Sequence, residues 1–64
     1  MAYIVKLTPD NLYFTAGEDG VATTASRQEA IENGQFEEYE SAKLTAESWS
    51  GGMQLGRDYI IENI

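Results

Sequence analysis

The sequence predicts a single α+β domain of two layers: a small antiparallel or mixed three-stranded sheet, ordered β-β-α-β, with one helix packed on one face. Three observations carry this reading. Residues 2–16 form two β-favouring runs around a Pro-Asp-Asn turn. Ser26 and Glu29 stand at the spacing that opens a helix, and residues 59–64 return to strand chemistry. With 64 residues there is room for one domain, 1–64. A chain of that size buries only about 60% of its unfolded surface.

Taken in order, "AYIVKLT" places Tyr3, Val5 and Leu7 on one face and Ala2, Ile4 and Lys6 on the other. Pro9-Asp10-Asn11 is turn chemistry, because proline presets φ while Asp and Asn tolerate turn conformations. "LYFTA" resumes the strand, so residues 2–16 read as an antiparallel hairpin. "GEDG" (17–20) makes a second turn and "VATT" (21–24) a short extended segment. Ser26-x-x-Glu29 is a capping box and starts a helix near Arg27. At Asn33-Gly34 three outcomes stay open: a helix stop with Gly34 in the left-handed region, a glycine inside one longer helix, or a tight hairpin turn. Residues 35–49 favour helix, Gly51-Gly52 stop it, 53–58 connect, and "YIIENI" forms a last strand beside the first. A strand returning after a helical crossover is commonly parallel to its neighbour, although direction stays open here.

On a helical wheel Phe36, Tyr39, Ala42, Ala46 and Trp49 fall within roughly 140° of arc, the width of a core-facing stripe. Ile31 joins them if the helix is continuous from Arg27. Glu37, Glu40 and Glu47 gather on the opposite side around Leu44, which is four residues from Glu40 and three from Glu47. Such a leucine ringed by carboxylates suits a basic partner surface that also offers an apolar pocket. The alternatives are a single exposed leucine of the ordinary kind, or one covered by residues 51–58.

Composition excludes more than it identifies. There is no cysteine and no histidine, so neither a disulfide nor a thiolate zinc site can form and the commonest general base is missing. "GEDG" lacks the D-x-[DN]-x-[DN]-G calcium pattern. "GGMQLG" follows a helix instead of opening one and has no adjacent lysine, so it is no phosphate loop. No catalytic residue, cofactor site or metal site is expected. Eleven acidic against four basic residues give a formal charge of −7. That balance opposes direct nucleic-acid binding and docking on anionic membranes, and favours a protein partner with a basic surface. Neither a signal-peptide pattern nor an apolar run of ~20 residues is present, which points to a soluble cytoplasmic protein.

The layout "YIVKL…NLYFTAG…ATTASRQEAI…DYIIENI" resembles small accessory proteins of phages and prophages. The resemblance implies a protein that binds and inhibits a host protein, such as a defence nuclease or transcription component, by presenting an acidic surface in place of nucleic acid. It carries over no functional residue. The expectation is therefore a non-enzymatic binding module that uses Glu37, Glu40, Leu44 and Glu47, aided by Asp10, Glu18 and Asp19 where the loops lie nearby. The alternative is a small structural or assembly protein acting as an obligate homo-oligomer, because a tiny core and free strand edges invite pairing.

Overall fold

The computed structural model describes residues 2–18 and 20–64, with Ser50 described by its backbone alone. Among these described residues four strands and two helices follow in the order β1 (Tyr3–Leu7), β2 (Leu12–Gly17), β3 (Gly20–Thr24), α1 (Arg27–Asn33), α2 (Tyr39–Ser50) and β4 (Tyr59–Asn63). The sheet runs β3-β2-β1-β4 with every neighbouring pair antiparallel. The α+β class and the β1–β2 hairpin hold, and the last strand lies beside the first. Three expected strands become four because "VATT" does more than extend: from Gly20 to Thr24 it pairs with Gly17 to Tyr13 in unbroken register.

The antiparallel entry of β4 follows from where α2 lies. Tyr39 at its start meets Tyr3 edge-on, ring centroids 5.8 Å apart, so the helix begins at the Tyr3 end of β1. The loop after it is fastened to the other end, where Thr8 N–H donates to the Asp58 carbonyl and Thr8 Oγ1 to that of Arg57. The chain thus re-enters opposite Leu7, pairs Tyr59 with it, and runs back to Asn63 beside Tyr3. A parallel strand would need a second traverse of the sheet.

The helix is broken at Gly34, and its halves lie on opposite faces of the sheet. Val5, Leu7, Phe14 and Tyr59 pack with Ala42 and Ala46 of α2, while Ile4 and Tyr13 pack with Ala30 of α1. Alternation along β1 and β2 sends these two sets to opposite sides. One helix on one face is therefore corrected to two helices and three layers. The expected division of β1 survives, but Ile4 serves a second core instead of an open face.

The chain changes faces by passing between two strands. β1 and β2 pair only through Lys6 with Tyr13 and Leu7 with Leu12. Beyond that point Tyr3 exchanges both backbone hydrogen bonds with Phe36, at 2.9 and 2.8 Å. Residues 34–36 thus occupy the gap where β1 and β2 diverge. Gly34 is required by space and not by left-handed backbone: its φ is −121°, while a Cβ there would meet Phe14 C and Thr15 Cα at 2.9 Å. The left-handed stop considered from sequence is thereby replaced by a close backbone approach.

The caps show a similar partial agreement. Ser26 Oγ accepts from Glu29 N–H at 3.2 Å, as the spacing predicts. The reciprocal bond from Ser26 N–H goes to Thr24 Oγ1 at 3.1 Å instead of to Glu29. Gly51 and Gly52, with φ of 56° and 81°, end α2 in conformations that favour glycine.

Candidate functional site

Α2 is anchored by its smallest residues. Ala42 and Ala46, both fully buried, let the helix sit close on the sheet. That close seating leaves too little depth for the flanking rings, so Tyr39 and Trp49 remain 40% and 46% exposed. Both were expected in the core. Trp49 covers Phe14 edge-on at 5.2 Å and turns its remaining surface outward. Phe36 lies outside the helix, half-buried against the α2-side core.

The residues proposed from sequence are brought together only in part. Leu44 is 62% exposed, opposite the buried alanines, and is not covered by residues 51–58. Glu37 and Glu40 are exposed, and neither joins an ion pair among the described residues. Glu47 is placed differently: it is half-buried, and its Oε2 accepts from the Tyr59 hydroxyl at 2.9 Å. Tyr59 is fully buried, and burial together with the Glu47 carboxylate pushes its phenol from 10 up to about 12. Glu47 therefore works first as the acceptor for a buried phenol and shows only part of its charge at the rim. Asp10 and Glu18 are exposed in their turns, whereas Asp19 lies outside the described residues.

Beside Leu44 the surface is hollow. An open groove of about 520 Å³ runs between α2 and β3, lined by Gly20, Val21, Leu44, Thr45, Ser48 and Trp49. None of these six residues is charged. Sequence reasoning missed the groove because it assigned Trp49 to the core and left β3 unpaired. The available signal was the Ala42/Ala46 pair, whose small side chains bring the helix down and strand the larger ring at its flank.

The four basic residues stand elsewhere. Lys6 lies 5.9 Å from the Tyr13 ring centroid on the α1 face, and Arg27 pairs with Glu62 at 3.1 Å. Arg57 sits in the loop beside Thr8, and Lys43 is on the α2 flank away from the groove, one turn from Glu47. The outer surface of α2 around Leu44 is thus apolar at its centre and acidic toward the helix start. Among the described residues no group of three or more His, Cys, Asp or Glu could hold a metal ion, and no helix is long and apolar enough to cross a membrane. Comparison with known proteins gives no matching family model, no matching curated protein and no matching solved structure.

Proposed function

We propose that this chain is a non-enzymatic protein-binding module that docks on a basic protein surface through the outer face of α2. Leu44 is the anchor, Glu37 and Glu40 supply charge, and Glu47 stands at the rim. The observation that carries the reading is Leu44 itself, a large apolar side chain 62% exposed on a helix that has already satisfied its core with alanines. Covering that exposed fraction stabilises a complex by about 1–2 kcal/mol. The unpaired carboxylates orient and accelerate the encounter more than they deepen it.

In the phage setting that the sequence resembles, the partner is a host nuclease or transcription component whose nucleic-acid site the carboxylates imitate. Affinity capture from the host, eluted along a salt gradient, tests the reading. Release should come at moderate salt, because exposed charges are screened over ~8–10 Å at physiological ionic strength. A partner retained equally by the Glu40→Lys, Leu44→Ala double variant removes the proposal. A second reading, an obligate homo-oligomer, draws on the open edge of the sheet at β3. Light scattering on dilution separates the two, since a monomer at low micromolar concentration excludes obligate assembly.

A further inference from the structure

We infer that the groove between β3 and α2 receives an extended, lysine- or arginine-bearing segment of the partner, added beside β3 as a fifth strand, with one apolar side chain seated between Leu44 and Trp49. The inference rests on the acidic-face reading and specifies the form of the partner.

Two independent features meet at this place. The first is an open sheet edge. Among the described residues the only strand paired with β3 is β2, and the β3 sequence, Gly-Val-Ala-Thr-Thr, carries no proline and no charge. Charges, prolines and coverings are the devices by which edge strands avoid new neighbours. The other edge is equipped with them: β4 bears Glu62, and its first residue is engaged by the preceding loop through Gly56 N–H to the Tyr59 carbonyl at 2.7 Å. The second feature is the groove, which lies against the same strand. Val21 of β3 is one of its walls and Leu44 and Trp49 form another.

A strand added at ~4.8 Å from β3 would turn every second side chain toward the α2 face. One such side chain falls over the uncharged lining. Its neighbours along the segment reach the surroundings, where Glu18 precedes Gly20 and Glu40 lies one helical turn before Leu44. No lysine or arginine lines the groove. Main-chain pairing then supplies affinity, the groove selects an apolar residue, and the acids select basic flanks. A second copy of this chain is the poorer occupant, because each copy carries a formal charge of −7.

The test uses the whole protein, isotope-labelled for amide spectra, and a short fluorescent peptide of alternating lysine and threonine with leucine at its centre. Two companion peptides differ at one feature each: backbone N-methylation on alternate residues, or alanine at the centre. The expected result is saturable binding with amide shifts along Val21 to Thr24. N-methylation should weaken binding by about tenfold or more, as should the central alanine, and Leu44→Glu in the protein should do the same. Equal binding of the N-methylated peptide with continued dependence on Leu44 overturns strand addition while leaving the acidic-face reading intact. Absence of binding, or β3 shifts that grow with protein concentration before any peptide is added, also overturns it.

Discussion

Gly34→Ala is the most informative single perturbation of this fold. The added methyl group would fall within contact of the Phe14 carbonyl oxygen and at 2.9 Å from both Phe14 C and Thr15 Cα. All three are backbone atoms of a paired strand, so no side-chain rotation relieves the overlap. The linker must move away, loosening the two Tyr3/Phe36 backbone bonds. Overpacking costs about 1–3 kcal/mol, and each weakened bond about 0.5–1.5 kcal/mol. Alanine's smaller unfolded-state entropy returns about 0.4–1 kcal/mol. Together these span about 1–5 kcal/mol and centre on about 3 kcal/mol, from a total stability of about 3–10 kcal/mol for a chain of 64 residues. Thermal unfolding followed by the fluorescence of the single tryptophan should show a fall in Tm of roughly 10–20 °C. Gln35→Ala, at an exposed neighbour, serves as the control. A Gly34→Ala protein melting within about 3 °C of the parent, with unchanged protection of the Tyr3 and Phe36 amides, would refute the passage of the chain between β1 and β2.

Two further expectations concern stability. Tyr59 holds its proton more tightly folded than unfolded, so its contribution is fully present below pH 10 and is lost as pH rises toward about 12. That loss amounts to about 2–3 kcal/mol; urea unfolding from pH 9 to 12 should show it in the parent and not in Tyr59→Phe. Ser26→Ala removes the acceptor for Glu29 N–H and should cost about 1 kcal/mol. Because Thr24 still holds residue 26 in place, circular dichroism should show the folded signal retained at room temperature.

Much of the architecture is legible in local chemistry. Pro9-Asp10-Asn11 announces the first hairpin, and Asn11 does take a positive φ of 55°. Ser26 and Glu29 announce α1, and the paired glycines announce the end of α2. What escapes is decided by contacts distant in sequence. Nothing around Gly34 reports that Phe14, twenty residues earlier, will be its neighbour. A wheel can rank Trp49 near the apolar centre, but it cannot know that two alanines set the height of the helix above the sheet. Leu44 was legible because the wheel places it directly opposite those alanines. Glu47 was not, because its partner Tyr59 belongs to a strand whose direction the sequence leaves open.

The passage of residues 34–36 through the sheet also bears on motion. Helices packed on an intact sheet can slide along it, each without disturbing the opposite side. Here a displacement of α2 pulls on Phe36, which is tied to Tyr3, and then on Gly34, whose N–H is held at 2.7 Å by the Ala30 carbonyl of α1. The backbone walls of β1 and β2 leave the connecting residues little slack. A ligand drawing α2 toward β3 would therefore be registered across the sheet, as amide shifts at Ala30 to Gly34, on the face it never touches.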